Sequence, residues 1–538
     1  MRLSIKKLLV AVAACSMVLP LVACGQSGDS GAKDANGKPI VKIAVSKHSL
    51  TKKMSEMKWP KELEAACDCT IEWQEVSSDW DQKKQAMFTA GEIPDMILKG
   101  VYLNDMATYG SLFEDLTDDI DKMPNVKKMF DDDPDVKRSV TMLDGKIQVL
   151  SSDKKGYWPK TVSRMYINKQ WLDKLGLSVP TNWDELYNVL KAFKTQDPNG
   201  NGQADEIPMD FISPGTGGFG DFQPVILLGS LGLSYTTSDG YGGSGYYVQD
   251  GKVGTFLTDD RYKTLVEFLN KLWSDGLINK EAFTHDYSQS QATTRGDGDT
   301  AKVGFTWGYS ASDRFGVKLA DQYVSMGQIK HDANQTEKLY YDYANDRTVY
   351  SQSALAISAN TKYLDQCLKI ANQFYDQDTS IEVLWGDLGI DTKKTGDKSY
   401  EVLPPADSSK DPGTWKWTET LADDSPYWIR PDLDIKLPSD LIEVQEQEKV
   451  LEPVLSQMDV KKDIIPRSLK FTPEDQDTLS MNNTNILNTA MTKFSSWITK
   501  GGVDAEWKSY VDTLDKAGIN DNVKIYQKSY DDFYKWRA

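Results

Sequence analysis

The chain is poor in the residues that build transition-metal sites. Its 538 residues include three histidines and five cysteines, and Cys67-Asp68-Cys69 lacks the two-residue gap of a zinc knuckle. We therefore give a transition-metal site little weight. Cys67, Cys69 and Cys367 can be buried thiols, or two of them can form one disulfide bond.

Positive charge is also scarce. The 62 Lys and Arg residues are outnumbered by 80 Asp and Glu residues, which gives a net charge of -18. Because phosphate binding needs a basic surface, this balance argues against nucleic acid as a partner. A Walker loop, an HExxH motif and a GxSxG motif are all absent from the sequence.

Long hydrophobic runs are limited to the amino terminus. Arg2, Lys6 and Lys7 precede an apolar run from Leu8 to Val22, which has the length of a signal peptide and is short for a membrane span. The following Leu21-Val22-Ala23-Cys24 resembles a bacterial lipobox, in which the cysteine is lipidated on sulfur. The alternative is an ordinary signal peptide with an incidental cysteine. We expect a signal peptide over residues 1–23, a lipid-anchored Cys24 and a flexible tether over residues 24–39.

Aromatic residues are abundant, with 15 Trp and 25 Tyr in the chain. Many lie in loop-like segments, where an exposed ring can stack on the apolar face of a sugar. The alternative is packing in the core, which explains most aromatic residues in any protein. A length of 538 residues predicts two or more lobes.

The stretch from Asp197 to Glu206 resembles the first half of a calcium-binding loop. Calcium prefers hard oxygen ligands, and a glycine at position 6, here Gly202, permits the tight turn that brings them together. We assign side-chain ligands and one backbone carbonyl, that of Gln203, to a structural Ca²⁺. The side-chain ligands are Asp197, Asn199, Asn201, Asp205 and Glu206.

This loop departs from an EF-hand at its twelfth position, where Pro208 replaces the closing glutamate. Asp205 and Glu206 must then close the site, so the loop is EF-like rather than an EF-hand. The alternative is a solvated turn, since Asp-Pro and Asn-Gly pairs favour turns.

Strands and helices alternate in the amino-terminal half. Residues 40–45, 70–76 and 93–98 read as strands with helical stretches between them, which predicts a parallel sheet covered by helices on both faces. The stretch Ile167–Leu177 predicts a helix that stops at Gly176. Thr181 is expected to cap the helix that follows.

Several segments occur together in an order that resembles one protein family. They are the lipobox, residues 91–95, residues 112–117, residues 168–176 and residues 197–208. In this order and spacing the chain resembles the large extracellular solute-binding lipoproteins of bacterial ABC importers. Within them it is most similar to the LplA-like, family-1 oligosaccharide binders, which include calcium-containing members.

The resemblance implies an α/β protein with the type II periplasmic-binding-protein fold, in which a multi-strand hinge joins two α/β lobes. The amino-terminal lobe would take residues 40–152 plus about 318–358. The carboxy-terminal lobe would take residues 153–317 plus about 359–538, and the ligand would lie between the lobes.

Candidate ligand-binding residues are aromatic or cationic. The stretch Val303–Tyr309 reads as a strand that delivers Trp307 to a loop, and in the implied family a tryptophan after such a strand commonly stacks on sugar. A tryptophan beside an arginine, as in Trp428 and Arg430, can cover a sugar face while the guanidinium binds hydroxyls. The remaining candidates are Trp385, Trp417, Tyr157, Trp158, Lys99, Lys47 and His48. Core packing is the alternative for each ring, a solvated charge for Lys99, and a structural imidazole for His48.

The function that follows is capture of an oligosaccharide, plant-derived and of the arabino-, xylo- or fructo-type, for delivery to an ABC permease. We expect a non-enzymatic monomer on the extracellular face of the cell membrane, tethered by its lipid. One alternative is a surface-anchored glycoside hydrolase, which needs two carboxylates across the scissile bond. Another is a receptor of similar shape that binds peptides or lipid precursors.

Overall fold

A computed structural model describes residues 31–535 apart from 155, 215–217, 237–241, 345–349, 408–411 and 424. The predicted signal peptide and Cys24 lie outside these residues. The strands of the described residues are β1 Ile40–Ser46, β2 Thr70–Val76, β3 Met96–Leu98, β4 Leu150–Asp153, β5 Arg164–Asn168, β6 Ile207–Met209, β7 Tyr246–Gln249, β8 Lys252–Thr255, β9 Val303–Gly308, β10 Tyr323–Met326, β11 Tyr350–Ile357, β12 Thr392–Gly396, β13 Ser399–Val402 and β14 Asp434–Lys436.

The α-helices of the same residues follow in chain order. They are α1 Trp59–Cys67, α2 Trp80–Ala90, α3 Leu103–Tyr109, α4 Pro124–Asp132, α5 Pro134–Val140, α6 Lys169–Leu175, α7 Trp183–Thr195, α8 Asp260–Ser274, α9 Tyr287–Thr294, α10 Ala311–Phe315, α11 Leu364–Phe374, α12 Gln377–Trp385, α13 Pro412–Glu419, α14 Ser439–Glu448, α15 Glu452–Leu455, α16 Val460–Asp463, α17 Pro473–Lys500, α18 Val503–Lys516 and α19 Ile519–Lys535. Short 3₁₀ turns lie at Met54–Glu56, Gly110–Leu112, Leu116–Lys122, Pro224–Leu231, Gly242–Ser244, Ala320–Gln322 and Lys449–Leu451.

The first lobe is built on a five-stranded sheet in the order β2-β1-β3-β11-β4. Strand β1 is parallel to β2 and β3, and β11 is antiparallel to β3 and β4. Val41, Ile43 and Val45 of β1 are fully buried, whereas Lys42 is exposed. Because β1, β2 and β3 are parallel, their carboxyl ends meet at one edge of the sheet, where α/β proteins tend to bind ligands.

The second lobe is built on a four-stranded sheet in the order β10-β5-β9-β6. Strand β5 is antiparallel to its neighbours β10 and β9, and β6 is parallel to β9. The apolar face of α7 packs into the core of this lobe through Trp183, Leu186, Leu190 and Phe193. Helices α17, α18 and α19 contribute to the same core.

The structure corrects the predicted division of the chain between the lobes. Strand β10 was expected in the first lobe, but it pairs with β5 in the second sheet. Residues from about 359 to 437 were expected in the second lobe, but their apolar side chains, among them Phe374 and Tyr427, lie in the first core. The reason is that α11 packs against α1, a contact between segments about 300 residues apart that no local pattern indicates.

Along the described residues, the core to which the chain contributes changes three times: between Tyr157 and Met165, between Tyr343 and Tyr350, and between Leu437 and Leu451. Cys67 and Cys69 form a disulfide bond at the end of α1, whereas Cys367 is a buried free thiol. Burial raises the pKa of Cys367 to about 12. This arrangement decides between the two alternatives that the sequence left open for these cysteines.

Candidate functional site

The predicted calcium loop connects α7 to β6. Asp197 has a left-handed backbone, with φ of 47°, and its carboxylate accepts hydrogen bonds from the backbone N–H of Gly200 (2.9 Å) and Gly202 (3.1 Å). Asn199 Oδ1 accepts from the N–H of Asn201 at 2.9 Å, and Asn201 Oδ1 accepts from the N–H of Gln203 at 2.7 Å. In each of these bonds a side-chain oxygen accepts from a backbone N–H a few residues ahead. The loop is therefore a series of tight turns that begin at Asp197, Asn199 and Asn201.

The closing carboxylates differ in their surroundings. Asp205 Oδ1 accepts hydrogen bonds from the side-chain amides of Asn199 and Asn201, both at 3.0 Å. Glu206 has a buried oxygen, Oε1, without a hydrogen-bond partner. Burial raises the pKa of Glu206, and the nearby charges of Asp197 and Asp205 add to the rise.

The unpartnered Oε1 of Glu206 belongs to a loop with four other oxygen-bearing side chains. Such a set fits a cation, which would neutralise the Glu206 carboxylate. Across the described part of the chain, no cluster of three or more His, Cys, Asp and Glu side chains is placed to hold a metal ion. In this loop two of the assigned side-chain ligands are asparagines, so it relies on amide as well as carboxylate oxygens.

Trp307 lies in the core of the second lobe rather than on a free surface. Its side chain is 0% exposed and packs edge-on against Phe305, with ring centroids 4.8 Å apart. The physical reason is the position of β9, which lies between β5 and β6 with every residue buried. This burial corrects the expectation that Trp307 stacks on sugar.

Four further candidates are held by packing in the first lobe. Trp428 is 1% exposed, and Trp385 is 5% exposed. Tyr157 is also buried and donates its hydroxyl to the backbone carbonyls of Arg430 (3.1 Å) and Leu433 (2.7 Å). The Arg430 guanidinium donates to Gln377 Oε1 at 2.9 Å. These contacts correct the expectation that Trp428, Trp385 and Tyr157 face a ligand, whereas the role of the half-buried Arg430 stays a prediction.

The other candidates meet at the carboxyl edge of the first sheet. Trp417, on α13, is half-buried, and its ring centroid lies 5.4 Å from that of the exposed His48, which follows β1. Lys99, which follows β3, places Nζ 5.8 Å from the Trp417 ring centroid and donates to the carbonyl of Leu421 at 2.6 Å. Lys47 instead positions the loop after β1, since its Nζ donates to the carbonyls of Thr51 and Lys52, both at 3.0 Å.

Three charged side chains, those of Asp423, Lys154 and Lys416, form a group near the carboxyl edge of the first sheet. The Asp423 carboxylate lies between two lysines, with Lys416 Nζ 2.9 Å from one oxygen and Lys154 Nζ paired with the other. The two ammonium groups lie 3.8 Å (Lys154) and 4.9 Å (Lys416) from the ring centroid of the half-buried Trp158, which stacks on Trp385. Burial opposes the charge of Asp423, but the two lysines outweigh it and hold the pKa of Asp423 far below its usual range.

The second lobe contributes Tyr309, which follows β9 and is half-buried. Burial raises the pKa of Tyr309, the positive charge of Arg164 opposes that rise, and the negative charge of Asp423 adds to it. Arg164 of β5 supports Tyr309 by donating to its carbonyl at 2.6 Å. We call Trp417, Trp158, Asp423, Lys416 and Tyr309 the aromatic cluster; the first four belong to the first lobe or the first crossing between the cores, and Tyr309 to the second lobe.

Sequence reasoning missed Lys154, Asp423, Lys416 and Tyr309 as functional residues. Lys416 stands between two tryptophans in Trp415-Lys416-Trp417, and Tyr309 ends the strand segment that holds Trp307. Those aromatic neighbours were the available signal for these two. Asp423 could not be singled out because one of its two lysine partners, Lys154, is 269 residues away in the chain.

The comparison with known proteins identifies the family of the chain. Residues 49–376 match the family described as bacterial extracellular solute-binding protein. The chain belongs to this family. Its members bind solutes outside the cell, so the chain is a binding protein and not an enzyme, and the glycoside hydrolase alternative is set aside.

Relatives of this solute-binding protein extend over nearly its whole length. It is 30% identical over 496 residues to the fructooligosaccharide ABC transporter substrate-binding protein FusA of Streptococcus pneumoniae serotype 4, covering 88% of this chain and 86% of FusA. A solved structure of an HMO-binding, ABC-transporter-associated solute-binding protein from Bifidobacterium longum infantis is 39% identical, with a TM-score of 0.87. That similarity covers 93% of this chain and 100% of the other.

A structure of an EF-hand mutant of S. pneumoniae FusA in complex with fructo-nystose is 26% identical to this chain, with a TM-score of 0.77. It too covers 93% of this chain and 100% of its own. These similarities confirm the periplasmic-binding-protein fold expected from the sequence. None of the helices in the described ranges combines the length and the apolar character needed to cross a membrane.

Proposed function

We propose that this solute-binding protein captures a plant-derived oligosaccharide between its two lobes and delivers it unchanged to an ABC permease. The observation that carries the proposal is the aromatic cluster, which combines two half-buried indoles with ionised and hydroxyl groups from both lobes. Indoles cover the apolar faces of sugar rings, and charged groups bind their hydroxyls. Closure of the lobes would bury the ligand from both sides.

Among the arabino-, xylo- and fructo-types, the fructo-type has the best support. FusA, which is similar over most of its length, is described as binding fructooligosaccharides. The ionised groups of the cluster are paired, because Asp423 binds Lys416 and also the adjoining Lys154, so the site suits a hydroxyl-rich ligand without a strong charge of its own.

Thermal unfolding with a ligand panel tests this proposal, because a ligand that binds only the native state raises Tm. The panel holds fructo-, arabino- and xylo-oligosaccharides, an HMO mixture and peptides. We expect the fructo-type to raise Tm and to be recovered intact afterwards. A rise with peptides alone, or with HMO alone, would contradict the plant-derived assignment.

We propose in addition that residues 197–206 bind a structural Ca²⁺. Asp197, Asn199, Asn201, Asp205 and Glu206 would hold it with their side chains, and Gln203 with its backbone carbonyl. The buried, unpartnered Glu206 oxygen supports this assignment, as does the description of a FusA structure as an EF-hand mutant. The ion would neutralise the carboxylates and stabilise the turn between α7 and β6.

The remaining parts of the proposal concern location and assembly. The protein would act as a monomer tethered by a lipid on Cys24, on the extracellular face of the cell membrane. The lipobox-like Leu21-Val22-Ala23-Cys24 and the extracellular character of the family support this location.

A further inference from the structure

The two lobes also touch outside the segments in which the chain passes from one core to the other. Helix α5 belongs to the first lobe, whereas Lys470, which precedes α17, belongs to the second. Lys470 Nζ donates hydrogen bonds to the backbone carbonyls of Arg138 (3.0 Å) and Ser139 (2.7 Å). Because the donor and its acceptors are in different lobes, these bonds break when the lobes move apart.

The acceptors lie in the last turn of α5, which ends at Val140. The last carbonyls of a helix have no N–H partner inside the helix, and the helix dipole makes that end negative. A lysine placed there satisfies these carbonyls and is favoured by the dipole. Lys470 therefore caps a helix that belongs to the other lobe.

The backbone of Lys470 is fixed in the second lobe. Its neighbour Leu469 is 4% exposed, and Phe471 packs against the same core. Ser529 of α19 donates from Oγ to the carbonyl of Lys470 at 2.6 Å. Only the side chain of Lys470 therefore has to reach across to the first lobe.

Helix α5 is fixed in the first lobe at its other end. Asp133 caps α5 by accepting the N–H of Asp135 at 3.0 Å, and it also accepts the hydroxyl of Tyr350 at 2.9 Å. Tyr350 begins β11, where the chain returns to the first core. Since α5 is about 10 Å long, it links this passage between the cores to the Lys470 contact.

An aromatic ring of the second lobe adds to the contact. The centroid of the Phe533 ring, on α19, lies 5.7 Å from the guanidinium carbon of Arg138 and 5.8 Å from Lys470 Nζ. Cations at this distance from a ring are attracted by its electron-rich face. Arg138 is held in place by Asp135, which accepts from its guanidinium at 2.6 Å. The pair of Arg138 and Phe533 is thus a second, weaker link between the lobes.

The contact is a narrow bridge rather than a closely packed interface. Lys470 lines two cavities, of about 350 Å³ and about 70 Å³, and both have walls from the two lobes. Leu143, beside the smaller cavity, is 56% exposed. Small polar contacts of this kind are typical of domains that move relative to one another. The bridge can therefore open without exposing a large apolar surface.

The bridge does not depend on the charge of Lys470. Burial, together with the positive charge of Arg138, lowers the pKa of Lys470 to about 7. A neutral amine still has two N–H donors, which is the number that the two carbonyls require. The hydrogen bonds are therefore available to both protonation states.

We propose that Lys470 is a latch that holds the two lobes together before a ligand enters. Part of the free energy of lobe closure is then supplied by the protein, so a ligand has less to supply and binds more tightly. Lys470 is a positioning residue, because its Nζ binds carbonyls of the protein. The inference deepens the proposed capture between two lobes and is independent of which solute is captured.

Small-angle X-ray scattering of the ligand-free protein tests the latch, and calorimetric titration with a fructo-oligosaccharide measures its effect on binding. Lys470→Met keeps the length of the side chain and removes its donors, whereas Lys470→Arg keeps donors for both carbonyls. Phe533→Leu removes the ring that faces Arg138. Lys500→Met is the matched control, because Lys500 is an exposed lysine in the last turn of α17 in the same lobe. A thermal melt shows which variants fold.

We expect Lys470→Met to have a larger radius of gyration than the unaltered protein and to bind about tenfold more weakly, as the loss of hydrogen bonds from a charged group would give. Phe533→Leu should change both quantities in the same direction, with an affinity loss of about threefold. Lys470→Arg and Lys500→Met should match the unaltered protein in both measurements.

An unchanged radius of gyration in a folded Lys470→Met protein would overturn the latch, as would an equal expansion in Lys500→Met. If Lys470→Met does not fold, Phe533→Leu decides, and an unchanged radius of gyration there would overturn the latch. Expansion of Lys470→Met supports the latch even if no fructo-oligosaccharide binds; the absence of binding would then count against the proposed ligand alone.

Discussion

Replacement of Trp417 by alanine is expected to weaken oligosaccharide binding and leave the fold intact. The indole is half-buried, flanked by His48 and Lys99, and placed where β1 and β3 end. The backbone carbonyl of Trp417 accepts a hydrogen bond from Thr51 Oγ1 at 2.8 Å, and alanine keeps that contact. The loss should therefore fall on the ligand rather than on the loop.

The size of the effect follows from the area of one indole face. A tryptophan side chain buries on the order of 200 Å² when fully covered, and a sugar ring on one face would cover roughly 80 Å² of it. At about 25 cal/mol per Å² this contact contributes about 2 kcal/mol. Its removal should weaken the affinity roughly 30-fold.

Isothermal titration calorimetry with a fructo-oligosaccharide measures this change. Trp73→Ala is the matched control, because Trp73 is a half-buried tryptophan on β2 of the same lobe and contacts Trp59 of α1 rather than the cluster. The control should lose stability but bind normally. A decrease of less than about threefold for a well-folded Trp417→Ala protein would refute the stacking role.

Three further predictions concern the metal, a buried acid and the anchor. Chelation with EDTA should lower Tm, since calcium at one hundred times its Kd contributes about 2.7 kcal/mol; Asp197→Ala should abolish this response, and an unchanged Tm would argue that the loop holds no ion. Glu382 is 2% exposed, and burial, aided by Glu62 and Asp387, raises its pKa to about 7 from an ordinary 4.5. The folded state therefore binds this proton more tightly, and the stability that it confers is lost as pH rises from about 4.5 to about 7. Glu382→Gln should raise the free energy of unfolding in urea by roughly 2 kcal/mol at pH 8 and much less at pH 5, whereas the exposed Glu92→Gln should not; equal gains at both pH values would contradict the cause. Cys24→Ala should move the protein from the membrane fraction to the soluble fraction of its host, and retention in the membrane would speak against the lipid anchor.

Local signals predicted local structure well. The helix before Gly176 runs over Lys169–Leu175 and stops at that glycine, whose φ is 66°. The cap of the next helix lies one residue later than expected, because Asn182 accepts the N–H of Glu185 while Thr181 binds the Glu185 side chain. The polar residues before a helix therefore predicted the position of its first turn to within one residue.

The candidate site was predictable only in part, because exposure depends on tertiary packing. Trp307 was predicted at the end of a strand and Trp417 in a loop, and both were assigned to the ligand. The inner strand β9 buries Trp307, whereas α13 leaves Trp417 half-exposed. Asp423 acquires its importance from Lys154, which meets it only after the lobes have formed. A strand-terminal lysine such as Lys99 was predictable, since carboxyl ends of parallel strands share one edge.

A crystal structure of the protein with a bound fructo-oligosaccharide tests the central claim most directly. We predict intact sugar units between Trp417 of the first lobe and Tyr309 of the second, with Asp423 in hydrogen-bond contact with a sugar hydroxyl. Sugar bound at a surface of one lobe alone, away from the aromatic cluster, would contradict it.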